Sequence, residues 1–452
     1  MNQLQQFLYR RSAITRHRAC FYCPISMLSI TQPGPFNRLP LELISEIFLI
    51  FCGAQYYYGS KSEYWHGRSY QPTPRFRSCP PQLLLTQLSS HWRAVAHSMH
   101  HLWVELTIHV KTGNCPHHAE LATAWLMRSG ESLPLEINIS IPKGKGGRNH
   151  VKRLIESTIP FMHRWRSLKL AAPLQPFIPL LACRFPDAPL LEHVDFHICQ
   201  ITKTSLKAYA RLMPLTVFAA TPLLHSVAVG VSHGANLALR NRSDFQFPDL
   251  IPYAQVVRLI VDGGTYSSLS RGTRFLRLFS DNLVFLTLNL PLNLESEYMA
   301  TALTLKRLSS LTISALCQDA ANLFDFLTLP SLEVLEVQGF EESDDHTLYQ
   351  ALVHLRTRSS FALKKLTLRD TLTVPDEIVS NLLESLDSLK TLTFQEDRCT
   401  AFHPIMRWLQ ATKSQESRGQ DDAPLDAMEV RWIVVDVHTC LNEECSQVVV
   451  CY

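Results

Sequence analysis

Apolar residues recur along most of this chain in one arrangement: an aliphatic residue or Trp, two variable positions, a second apolar residue, one variable position and a third. It occurs at Trp165–Leu168–Leu170, Leu191–Val194–Phe196, Leu224–Val227–Val229, Val256–Leu259–Val261, Leu283–Leu286–Leu288, Leu308–Leu311–Ile313, Leu332–Leu335–Val337, Leu363–Leu366–Leu368 and Leu389–Leu392–Phe394, with unit starts 24 to 33 residues apart. The last two slots of each unit are two residues apart, so on a strand they point to one face. One such unit cannot bury its apolar face alone, and stacking supplies the missing cover. Trp103–Leu106–Ile108 fits the first strand of the stack, Pro134–Ile139 alternates as another, and Leu425–Met428–Val430 is a weaker late unit. Between units, residues 297–308 and 376–388 carry apolar residues at helical spacing. The predicted architecture is an α/β repeat, an irregular horseshoe-shaped solenoid over residues 104–452 with helices outside and a β-rich closure at 428–452.

The pattern differs near the N-terminus. Over residues 36–52, Leu43, Ile44, Ile47, Phe48 and Phe51 recur at three- and four-residue spacing and predict one apolar helical face behind Leu39 and Pro40. Glu42 and Glu46 fall near the front of that helix, where the macrodipole favours acids. Residues 53–80, rich in Gly, Ser, Pro and Tyr, predict a long inserted loop that presents Tyr56, Tyr57 and Tyr58. A second helical stripe follows in Leu84, Leu85, Leu88, Trp92, Val95 and Ala96. Together residues 36–103 form a short helical module, and residues 1–35, with four arginines and no acid, read as a disordered leader before it. The apolar run 212–231 is broken by Pro214 and Pro222 and contains a repeat strand, so it reads as buried stack and not as a membrane span.

Residues between the apolar slots belong to the other, concave side of the strands. They include Ser167 and Lys169, His193 and Asp195, Arg258 and Ile260, Phe285 and Thr287, Val334 and Glu336, and Lys365 and Thr367. Ile260 and Phe285 stand out as apolar on a largely polar face, as interface anchors do. Arg258, Ile260, Phe285, Thr287, Glu336 and Lys365 are the candidate target-binding residues.

Composition narrows the chemistry. A formal net charge of +3 over 452 residues is too small to point to nucleic acid, and 16 glycines leave little for phosphate-cradling loops. Phosphate-loop, serine-hydrolase elbow and zinc-protease motifs do not occur. Twelve cysteines without a regular framework fit a reducing compartment, the cytoplasm or nucleus, and Cys199 and Cys317 read as small apolar groups after repeat strands. His193, Asp195 and His197 alternate on one strand and are weak candidate metal ligands without a fourth partner. His17, Cys20 and Cys23 form half of a tetrahedral site that His438, Cys440 and Cys445 would complete only by coincidence of fold. No catalytic set is localised, so no intrinsic catalysis, cofactor, nucleic-acid partner or membrane partner is expected.

The N-terminal residues resemble a known family. Leu39-Pro40, Glu42-Leu43-Ile44, Ile47-Phe48, a variable loop, Leu83–Leu85, Leu88, Trp92-Arg93, Val95-Ala96 and Leu102-Trp103 look like an F-box, with Ser89 where the family usually has Cys and a loop longer than the minimum. Residues 120–139 and 163–170 are similar to fungal F-box proteins with leucine-rich repeats. The resemblance implies a Skp-type adaptor held by Leu39, Pro40, Leu43, Ile44, Ile47, Phe48, Leu85, Leu88, Trp92 and Val95, a cullin complex reached through it, and a protein target on the repeats. The alternative is that the same helices cap the stack of a binding scaffold with no ligase link.

Overall fold

The computed structural model describes residues 39–59, 80–110, 117–141, 148–181, 188–202, 204–205, 207, 218, 221–231, 252–262, 275–289, 302–339, 346–369, 388–396, 432–437 and 446–451. The predicted leader, the two Cys/His half-sites, the helix at 376–388 and the weak unit at 425–430 lie outside these residues.

Three helices open the chain: α1 (Leu41–Gly59), α2 (Pro81–Leu88) and α3 (Ser90–Ser98), followed by a 3-10 turn at His100–Trp103. Pro81 stands in the first turn of α2, where its missing N–H costs nothing. Ser89 then caps α3, its Oγ accepting the Trp92 N–H at 3.1 Å. The expected loop over residues 53–80 begins later than the composition indicates, because α1 continues through Gly59. Gly53 interrupts the apolar stripe there without ending the helix, a tolerable loss of about 1 kcal/mol in a helix this long.

The rest is an α/β architecture on one 13-stranded sheet. Its strands are β1 (Glu105–His109), β2 (Leu135–Ser140), β3 (Trp165–Pro173), β4 (His193–Gln200), β5 (Ser226–Val231), β6 (Arg258–Asp262) and β7 (Phe285–Asn289). After a short strand β8 (Leu303–Thr304) come β9 (Ser310–Ala315), the two-residue β10 (Leu327–Thr328), β11 (Val334–Gly339), β12 (Lys365–Arg369), β13 (Thr391–Glu396), β14 (Trp432–Val437) and β15 (Ser446–Cys451). Strand order follows chain order, with β8 and β10 set aside as a separate pair. Neighbours from β1 to β14 are parallel, and β15 returns antiparallel to β14. The β-rich closure at the C-terminal end is thus present, and its parallel strand is Trp432–Val437, beyond the weak unit named at 425–430.

Every strong apolar unit became a strand in register with the next. Leu168, Val194, Val227, Leu259, Leu286, Leu311, Leu335, Leu366 and Leu392 align in one row. All nine are buried. The first slots Leu191, Leu224, Val256, Leu283, Leu308, Leu332 and Leu363 are buried just ahead of their strands. Full burial of each such side chain contributes about 1.5–3 kcal/mol, which outweighs the few tenths by which strand propensities differ here. The ladder also runs one residue upstream of each strand, as in Glu333 N–H to Ser309 carbonyl at 2.9 Å and Lys364 N–H to Glu333 carbonyl at 2.8 Å.

Helices α4 (His118–Arg128), α5 (Arg148–Thr158) and α6 (Leu174–Leu181) pack side by side, with α4 against β1 and α6 against β3. Further along, α7 (Cys317–Phe326) and α8 (His346–Ser359) pack on each other, α7 against β9. Gly130 ends α4 with φ +74, the left-handed conformation that residue type supplies at least cost. The helical spacing at 297–308 misled at its end: Leu303–Thr304 is β8, which pairs with β10, and Leu305 and Leu308 are core residues of the turn that follows. Cys199 likewise lies within β4 and not after it, whereas Cys317 is buried at the start of α7.

Two arginines tie successive layers together. Arg164 donates from Nε to the Leu133 carbonyl at 2.8 Å, and its terminal nitrogens reach the Gly130 carbonyl and Ser129 Oγ, the latter at 2.9 Å. Arg358 repeats the device on α7, donating to the Leu327 carbonyl from Nε at 2.9 Å and also to the Phe324 carbonyl. Both place a cation near the C-terminal end of a helix one layer back, α4 for Arg164 and α7 for Arg358, where the macrodipole is negative.

Candidate functional site

Two surfaces follow from this arrangement. The first is on α1. Its inner side is set by Ile44 and Phe48, which are buried, with Phe48 at 5.0 Å from the half-buried Trp92 ring. Leu85 and Val95 close the same interior from α2 and α3. Ile44, Phe48, Leu85 and Val95, which the F-box resemblance sets against an adaptor, are buried and form the module's own core. Leu39, Ile47, Leu88 and Trp92 are partly covered, and Pro40 is exposed. Leu43 is 52% exposed and Ile50, which the sequence reading missed, is 63% exposed. Leu43, Ile47 and Ile50 are spaced i, i+4, i+7 and form one stripe along α1, with Ile47 packed against the core and Leu43 and Ile50 left exposed. The signal for Ile50 was its position seven residues after Leu43, at the margin of the stripe that Phe51 continues. Cys52, on the buried side, has its thiol pushed up to about 12 by burial, which favours the protonated form.

The second surface is the sheet face opposite the buried leucines. Strand register sorts its residues into three rows. Glu105, Glu136, Ser167, His193, Ser226, Arg258, Phe285, Ser310, Val334, Lys365 and Thr391 form the first. In the second, Lys169, Asp195, Ala228, Ile260, Thr287, Thr312, Glu336 and Thr367 are aligned. The third includes His197, Gly230, Asp262, Asn289 and Arg369. All six target-binding candidates lie on this face. Arg258, Ile260, Phe285 and Thr287 are direct neighbours on β6 and β7. The Arg258 guanidinium sits over the Phe285 ring at 6.0 Å, and Phe285 remains 45% exposed. Glu336 and Lys365 stand further along, and Glu336 lies 2.9 Å from Arg369 in an ion pair poorly aligned for a hydrogen bond.

His193, Asp195 and His197 share this face as expected, yet they do not gather as metal ligands; among the described residues no group of three His, Cys, Asp or Glu could hold a metal ion. The strand neighbours decide this. His193 packs its ring against His225 at 4.9 Å, and burial and that neighbour lower its pKa. His197 instead reaches past β5 to Asp262 at 3.5 Å. Gly230 makes the reach possible: a Cβ there would lie 2.6 Å from His197 Nδ1 and 2.9 Å from the Asp262 Cβ. Asn289 Nδ2 donates to Asp262 Oδ1 at 3.2 Å and holds the far end.

Asp195 lies inside this group. Burial pushes its carboxyl up to about 6, helped by Asp262 and opposed by Lys169 and His197. A carboxyl raised in the fold contributes stability that is complete below its unfolded pKa, near 3.9, and is lost as pH rises through about 6. Asp195→Asn should therefore raise stability at pH 7.5 by about 1–3 kcal/mol, the range allowing for the partial exposure of the site. The difference between variant and parent in urea unfolding should shrink as pH falls from 7.5 to 4. An unchanged difference across that range would mean that burial of the charge is not the cause.

Among the described residues no helix is long and apolar enough to cross a membrane. Neither the models of known protein families nor the curated protein sequences give a match to this chain.

Proposed function

We propose that this chain is the substrate-recognition subunit of a Skp–cullin–F-box type ubiquitin ligase. The helical module would dock a Skp-type adaptor, and through it a cullin complex, while the open sheet face holds a protein target. The observation that carries this reading is exposed Leu43 and Ile50, on either side of half-buried Ile47 and beside exposed Pro40, on a helix whose inner side is already packed. Contiguous apolar surface of this kind marks a partner site. Such a subunit supplies no acid, base or nucleophile. It acts by raising the effective concentration of a target lysine near the charged conjugating enzyme, in the cytoplasm or nucleus.

The test is capture of a purified adaptor of the Skp type by the full chain and by the Leu43→Asp/Ile50→Asp double variant. The parent should bind at micromolar concentration or better, and the variant should lose about a hundredfold or more, because two exposed anchors are replaced by charges that would be buried on docking. Its thermal midpoint should stay close to the parent's. Absence of binding by the parent would overturn the proposal.

A second reading, in which the helices cap a binding scaffold without a ligase link, is favoured by the Trp103 side chain. It is fully buried, its indole N–H donates to the Ala96 carbonyl at 2.8 Å, and its ring meets Trp125 of α4 edge-on at 4.8 Å. On that reading the double variant changes no interaction.

A further inference from the structure

The first row of the open face has a lopsided charge. Glu105 and Glu136 are direct neighbours at its β1–β2 end, and their mutual repulsion, after burial, raises the Glu105 carboxyl. From His193 on β4 to Thr391 on β13 the row contains no carboxylate, while Arg258 and Lys365 stand in it. The rim just upstream carries Arg166, Lys306, Arg307, Lys364 and Lys390 against Glu192, Asp281 and Glu333, which pair with Arg166 at 3.1 Å, Lys306 at 4.0 Å and Lys364 at 2.7 Å, so two cations are in excess there. The nearest acids of the deeper rows are also engaged, Asp262 by His197 and Asn289, and Glu336 by Arg369. Exposed Phe285 lies beside Arg258, and half-buried Val334 lies between Phe285 and Lys365.

Arg258 and Lys365 are four strand spacings apart, about 19 Å at about 4.8 Å per strand, which an extended segment crosses in about six residues. Resting on the reading that the open face holds a protein, we propose that the first row between β6 and β12 binds an extended acidic segment of the target, with one aromatic or large aliphatic side chain seated on Phe285 between carboxylates placed for Arg258 and Lys365. The Glu105–Glu136 end repels such a segment and so fixes which way along the row it extends.

The experiment is selection from a random twelve-residue peptide display library on the full chain, followed by affinity measurement of the recovered peptides on the parent, Phe285→Ser and Arg258→Glu/Lys365→Glu. Recovered peptides should be enriched in Asp and Glu around one apolar anchor. They should lose about thirtyfold on Phe285→Ser and as much on the charge-reversed variant, in the range of an interface anchor. Affinity should fall steeply with added salt. Neutral or basic peptides that bind the parent and are lost on Phe285→Ser would overturn the acidic class while leaving the face as a protein-binding surface. Peptides indifferent to both variants, or failure to recover any, would overturn the face itself. Displacement of the peptides by heparin at equal charge concentration, with no dependence on Phe285, would show a generic polyanion surface and also overturn the proposal. Each substituted side chain is on the solvent side of the sheet, and unchanged thermal unfolding confirms that the variants are folded.

Discussion

Trp103→Ala should destabilise the chain by about 4 kcal/mol and release the N-terminal helices from the sheet. The indole is completely buried at the junction between α3 and β1. It loses three kinds of contact at once: the hydrogen bond to Ala96, the edge-on contact with Trp125, and the Arg128 guanidinium at 5.0 Å over its ring. Trp125 in turn donates its indole N–H to the Glu105 carbonyl at 3.1 Å, so the damage reaches the first strand. Residues 81–103 should lose amide-exchange protection while β9 to β12 keep theirs, since stacked units depend mainly on their neighbours. Uniform loss of protection over all strands would show that the junction is not a local rivet.

Arg164→Met should cost about 3 kcal/mol although it keeps most of the side-chain volume. The residue is buried, and its guanidinium donates to the carbonyls of Ser129, Gly130 and Leu133 in the turn that follows α4. Arg164→Lys should recover only part of the loss, because an ammonium cannot reproduce the planar fork. Arg358→Met should cost less at the end of α7, because Arg358 is exposed and the Phe324 carbonyl also accepts the Leu327 N–H, and the double variant should be close to additive, since the two sites share no partner. Denaturant midpoints check both statements. Full rescue by Lys would mean that charge near the helix end, and not carbonyl satisfaction, is what matters.

The sheet was legible in the sequence because its signal is redundant. Each unit states the same strand, and nine units state the same register, so Leu168 through Leu392 and the six open-face candidates fell where the spacing put them. Signals confined to one element were read less well. Helical spacing at 297–308 hid that Leu303 pairs with Leu327, although both segments read Leu-Thr-Leu and each starts five residues ahead of a unit's first slot, Leu308 or Leu332. The apolar stripe of α1 identified an interior without telling which of its margins stays uncovered, since Ile44 and Leu43 are adjacent and equally greasy, yet one is buried and the other is not. The His193–Asp195–His197 alternation was visible, but the partners that determine its chemistry, His225, Gly230 and Asp262, come from later units.

The missing side chain at Gly230 has a consequence for how the array comes apart. In a linear stack each layer is coupled only to the layers beside it, and unravelling can proceed one layer at a time from either end. By letting His197 grasp Asp262 over the layer between them, the glycine adds next-nearest coupling at β4, β5 and β6. One such contact is worth about 1 kcal/mol or less, so it should slow stepwise fraying at these three layers and not stop it.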